Sequence, residues 1–119
     1  MQERIGIFYD FFNQKIKQYQ ITTIALETPF LGKNVQTFLK LGYLRGIVHL
    51  LAQQHGATLH EYAPRSVKQA ITGSGSAQKD QVARVVHMLF PHLGKVAKED
   101  VSDAIAISLC GLWQHKKLF

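Results

Sequence analysis

Residues 21–26 and 58–62 are the two stretches of this chain that read as β-strands, and a long helix-patterned segment separates them. Strands joined that way cannot form a hairpin; they lie parallel, linked by a crossover that is right-handed in nearly all known cases. The first stretch, Ile21-Thr22-Thr23-Ile24-Ala25-Leu26, is β-branched and apolar on both faces, which predicts a parallel strand covered on both sides. The remaining pattern is helical. Over residues 2–19, Ile5, Phe8, Phe12, Ile16 and Tyr19 recur at spacings of three and four. Asn34 caps a helix running to about residue 54, where His55-Gly56 supplies a stop. Pro64 opens a short helix through residue 71, and Ser76 opens another with Val82, Val85, Val86 and Leu89 inward. After a loop at 91–98, a last helix spans about 100–114. The fold class is therefore α/β, in one domain over residues 1–119. Two strands are few for five helices to cover, since sheets usually hold at least three.

Composition narrows the function. Of 119 residues 46% are hydrophobic and 18% charged, enough for a packed core and against disorder. No run of apolar residues is long enough to span a membrane. The opening MQERIGIFYD mixes charge among its apolar residues and does not read as a signal peptide. A single cysteine, Cys110, leaves no internal disulfide, so a reducing, cytoplasmic setting is expected; zinc-type Cys/His spacing is absent. Fourteen Lys and Arg face eight Asp and Glu, a formal charge of +6. Between residues 30 and 84 there are seven basic side chains and two acidic ones. That balance suits a polyanion such as nucleic acid, or simply a mildly basic soluble surface.

With so few acids, each can be weighed. Glu27 ends the first strand, where open α/β sheets place their sites. Asp100 and Asp103, three apart at the start of the last helix, are expected to share a face. Three converging carboxylates would suit Mg²⁺, and a pair of such ions is the recurring device for phosphodiester hydrolysis. Spacing alone favours the plainer reading, in which Glu27 is a solvated loop residue and the aspartates cap a helix and complement its dipole.

The helix from Asn34 is apolar on nearly two faces and carries Gly42 and Gly46, a small-xxx-small pair that permits close packing against a neighbour. Cys110, among Ile107, Leu109 and Leu112, reads as a packed thiol.

Several strings taken together resemble the RuvC family of Holliday junction resolvases. They are Ala25-Leu26-Glu27-Thr28-Pro29-Phe30, Lys33-Asn34, and Leu39-Lys40-Leu41-Gly42-Tyr43-Leu44-Arg45-Gly46. Further along come Glu61-Tyr62-Ala63-Pro64-Arg65-Ser66-Val67-Lys68-Gln69, Gly73-Ser74-Gly75-Ser76-Ala77-Gln78-Lys79 and Asp100-Val101-Ser102-Asp103-Ala104-Ile105-Ala106-Ile107. The resemblance runs in order from about Arg4 to the last helix. It implies an RNase H-like fold, a homodimer, and Mg²⁺-dependent symmetric nicking of four-way DNA junctions in recombination and repair, alongside the branch-migration helicase RuvA and RuvB. Family catalysis uses four acidic residues and a pair of Mg²⁺ ions. Glu27 matches the second acid, and Asp100 and Asp103 match the last two, as catalytic and metal-binding residues. The first is an aspartate in a Gly-Ile-Asp-Pro-Gly-like string on an opening strand, and this chain has no such string. The chain thus corresponds to the fold without its first three strands. Little or no cleavage by this chain alone is the expectation, and a non-catalytic junction binder is the alternative to a working nuclease.

The resemblance also assigns DNA contacts. Phe30 matches an aromatic that meets bases at the junction centre, and an exposed ring in a basic setting can stack on an unpaired base. Lys68 and Lys79 match lysines on the DNA backbone; Arg65, Lys33 and Arg45 are weaker candidates. The helix bearing Gly42 and Gly46 matches the dimer interface.

Overall fold

The structure, a computed structural model, describes residues 1–29, 34–96 and 99–116, with side chains of 94–96 and 115–116 left aside. Its order is α1 (Gln2–Tyr19), β1 (Thr23–Glu27), α2 (Val35–His55), β2 (Thr58–Tyr62), α3 (Pro64–Thr72), α4 (Lys79–Leu89), a 3₁₀ segment (Pro91–Val96) and α5 (Glu99–Lys116). Strands β1 and β2 form a two-stranded sheet. The Thr58 amide donates to the Thr22 carbonyl and the Thr28 amide to the Tyr62 carbonyl, both at 2.9 Å. Pairing advances in the same direction along both segments, so the strands are parallel, as their sequence separation requires. The fold is α/β with two strands and five α-helices among the described residues.

The tertiary contacts gather the chain into two compact units: Met1–Ile24 with Pro29–His60, and Ala25–Thr28 with Glu61–Phe119. In the first, α1 packs on α2. Ile16, Leu51 and Ala52 are buried there. The Tyr9 hydroxyl donates to Gln54 Oε1 at 2.6 Å, and His55 Nε2 lies 2.6 Å from Asn13 Oδ1. Helix α2 starts as its sequence predicts: Asn34 Oδ1 accepts from the Thr37 amide at 3.1 Å, and Gly56 takes the left-handed stop at φ 66°. Its apolar residues surround the helix, however, and five of them, Val35, Leu39, Leu41, Tyr43 and Leu50, are exposed.

In the second unit α3, α4 and α5 pack on one another around Val67, Ile71, Val82, Val86, Ala106 and Cys110. Val86 and Cys110 are wholly enclosed.

Four local expectations are corrected. Strand β1 begins at Thr23 rather than residue 21, because Gln20 ends α1 in the left-handed region (φ 51°) and the Ile21 amide donates back to the Ile16 carbonyl at 3.0 Å. Its apolar residues Ile24, Ala25 and Leu26 are half-buried, not covered on both faces. Helix α4 begins at Lys79 rather than Ser76. The Thr72 hydroxyl accepts from the Ser74 amide and holds the Gly/Ser segment as a turn, and the Gln78 amide donates to Gln81 Oε1 at 2.8 Å to start the helix. Leu89, expected inward, is exposed because α4 ends there, and Phe90 packs against the core instead.

Candidate functional site

Glu27 is the last residue of β1, and the Thr28–Tyr62 hydrogen bond just beyond it pins that strand end. Asp103 lies in the opening turns of α5. The two carboxylates line a single cavity of 210 Å³, together with Lys68 from α3 and Lys79 from α4. Its floor includes the buried side chains Val67, Val82 and Ala106. Two acids and two bases thus share a recess with an apolar floor, a setting in which charges are screened less than on an open surface.

Lys79 is the best-defined cation of the group. Its Nζ donates to Glu99 Oε1 at 2.6 Å, with the two side chains 70% and 64% exposed. That hydrogen bond, then the charges of Glu99, Asp103 and Glu27, hold the Lys79 ammonium above the ordinary lysine range. The same bond and the lysine charge hold the Glu99 carboxyl below the ordinary range. Both groups are therefore charged across the physiological range. Glu99 is not a sequence candidate, and the only signal for it is its place in the first turn of α5, beside Asp100.

Asp100 is placed differently from Asp103. It borders a second, largely apolar groove with Phe90, Val101, Ala104 and Ile105. Residues three apart on a helix are about 60° apart around its axis, far enough to face adjacent grooves. Among the described residues no group of three or more His, Cys, Asp or Glu is disposed to hold a metal ion. The expected three-carboxylate cage is thus not gathered. The pair Glu27 and Asp103 does fit a hard cation such as Mg²⁺, which proteins hold through one or two carboxylates with water and phosphate oxygens completing the shell.

Of the other expected contacts, Phe30 and Lys33 lie outside the described residues. Arg65, exposed on α3, lies against the Gly/Ser turn: a Cβ on Gly75 would stand 2.8 Å from Arg65 Cγ. Arg45 lies on α2, partly buried. Gly42 and Gly46 are exposed on α2, and a Cβ on either would meet nothing within 4 Å.

A family model described as "Crossover junction endodeoxyribonuclease RuvC" matches residues 1–111. The chain belongs to the RuvC family. RuvC of Chlorobium phaeobacteroides is 46% identical over 110 residues, which are 92% of this chain and 59% of the relative. RuvC of Pelodictyon phaeoclathratiforme is 47% identical over 110 residues, 92% of this chain and 58% of the relative. The chain therefore spans less than two thirds of the length of these curated RuvC relatives. Among solved structures, Thermus thermophilus RuvC superposes with a TM-score of 0.88 at 26% identity, covering 98% of this chain and 70% of that one. The same RuvC in complex with a Holliday junction substrate superposes at 0.89, with the same identity and coverage. The α/β arrangement read from the sequence is thus a RuvC arrangement.

Proposed function

We propose that this chain acts in Holliday junction resolution, as part of a structure-selective endodeoxyribonuclease that nicks four-way DNA junctions symmetrically with Mg²⁺ in homologous recombination and repair. One observation carries the reading: two lysines and two carboxylates line one cavity, in a chain that superposes on a RuvC bound to a Holliday junction. Lys68 and Lys79 serve as phosphate contacts, which fix the position of the duplex arms without reading sequence. Junction shape sets the selectivity, and deformability at the crossing point adds any local preference. Glu27 and Asp103 are the groups that would hold Mg²⁺, with Asp100 as a further acid at the same helix end. When bound, Mg²⁺ polarises the scissile phosphate and lowers the pKa of a bound water. The chain's own part is to hold the backbone over the carboxylates, with Phe30, Lys33 and Arg65 as additional DNA contacts. A homodimer through the Gly42/Gly46 face of α2 would present two such sites to strands of like polarity. RuvA and RuvB are the expected partners, and a cytoplasmic location the expected setting. Among the described residues no helix is long and apolar enough to cross a membrane.

A second reading, binding without cutting, is favoured by the separation of Asp100 from the cavity of Glu27 and Asp103. The two part on one assay: an end-labelled four-way junction incubated with the chain, with and without Mg²⁺. With two cavity carboxylates among the described residues, junction binding with little or no nicking is expected. Robust nicking abolished by Glu27→Gln would show that this acid pair suffices. Failure to bind the junction would contradict both readings.

A further inference from the structure

We propose that Glu99 is a positioning residue that occupies Lys79 in place of a DNA phosphate, so that DNA must displace it to engage the lysine. The inference rests on the reading above that Lys79 contacts the DNA backbone, and adds to it a built-in competitor. Three observations carry it. The Nζ–Oε1 separation of 2.6 Å is that of a short, charge-assisted bond, and the carboxylate presents the same anionic oxygen that a phosphate would. The bond joins the first turn of α4 to the first turn of α5, twenty residues apart in sequence, at the cavity lined by Lys68 and Asp103. Glu99 also has a reason to stand there without the lysine, because a carboxylate in an opening helical turn complements the helix dipole. The lysine is thus held by an acid that is itself held in place. Both side chains are well exposed, so a phosphate can reach the pair and the competition is reversible.

The consequence is a ceiling on affinity set from inside the protein. Glu99→Gln removes the competing charge and should tighten DNA binding, by about two- to fivefold given the modest strength of exposed pairs. Relief of mere repulsion between Glu99 and DNA would tighten binding too, and the two causes separate on a double-mutant cycle. Fluorescence anisotropy of a labelled four-way junction and of a linear duplex of the same sequence would be read for the full chain, Glu99→Gln, Lys79→Met and the double variant. If Glu99 acts by holding Lys79, the tightening vanishes in the Lys79→Met background. Glu99→Asp keeps the charge but withdraws the oxygen by one methylene, and should tighten binding as well. Tightening that persists without Lys79, or Glu99→Asp behaving as wild type, would overturn the inference. Equal binding of junction and duplex with the coupling intact would contradict the junction reading alone, while junction preference with no coupling would contradict this inference alone.

Discussion

Gly111 lies so close to Ala25 that a Cβ on the glycine would stand 3.1 Å from the alanine's own Cβ, with the Tyr62 ring at 3.5 Å. This contact sets α5 against Ala25 of β1 and Tyr62 at the end of β2. Asp103, Ile107 and Gly111 follow one another at four-residue steps along one stripe of α5, so the seat that brings the helix down on Ala25 also directs Asp103 to the cavity of Glu27.

Substituting Gly111 tests that seat. Alanine is a poor probe: relief of the glycine's helix-propensity cost, up to about 1 kcal/mol, would offset the crowding at Ala25. Valine adds bulk against both Ala25 and the Tyr62 ring. Gly111→Val should destabilise the chain by about 1–3 kcal/mol in urea unfolding, the usual cost of overpacking. A variant as stable as wild type would show that α5 does not need the close approach.

Lys68 lines the carboxylate cavity and is partly buried. Lys68→Ala should weaken junction binding at every salt concentration tested and lower the slope of log K against log salt by about one. The measurement is a salt titration followed by anisotropy. An unchanged slope would place Lys68 off the DNA path.

Gly42 and Gly46 carry opposite expectations for the chain alone and for the proposed homodimer. A methyl group at either position meets nothing within 4 Å, so Gly42→Ala/Gly46→Ala should raise helix stability, by up to about 1 kcal/mol at each site. In a dimer that uses these glycines for close approach, the same methyl groups separate the helices. Higher thermal stability at low concentration together with weaker self-association in sedimentation is the expected pair of results. Unchanged association would move the interface elsewhere.

Burial pushes the Cys110 thiol above its ordinary value of 9.0, and burial followed by the Cys110 charge pushes the Tyr62 hydroxyl above 10.0. Each group keeps its proton longer in the folded chain than in the unfolded one. Their contribution to stability is therefore complete at neutral pH and falls as pH rises past about 9, where the unfolded chain begins to ionise first. Unfolding titrations from pH 7 to 10.5 should show that alkaline loss, and Cys110→Ala should make it shallower. The enclosed thiol should also react slowly with alkylating reagents until urea is added.

How much of this was legible in the sequence depended on how local the cause was. The limits of α1 and β2, the Asn34 cap, the Gly56 stop and Pro64 at the head of α3 all follow from signals within a few residues. The start of α4 does not, because Ser76 is by composition a better cap than Gln78; the Thr72 hydroxyl and the Gln78–Gln81 bond decide it. Glu27 and Asp103 were found as candidates, but their meeting at one cavity depends on the Gly111–Ala25 approach across most of the chain. A three-residue spacing groups Asp100 with them, and a 60° difference on the helix is enough to give it another groove. The pairing of Glu99 with Lys79 is not legible in the sequence, because the two lie twenty residues apart.

The proposed role has this chain grip branched DNA through the lysines beside its carboxylate cavity. The most direct measurement is the ratio of dissociation constants for a four-way junction and a linear duplex of identical sequence. It should be taken at physiological ionic strength without divalent cation, for the chain and for Lys68→Ala/Lys79→Ala. Severalfold tighter binding to the junction and a marked loss of affinity in the double variant are the expected results. Equal affinity for junction and duplex, or a double variant that binds as well as wild type, would contradict it.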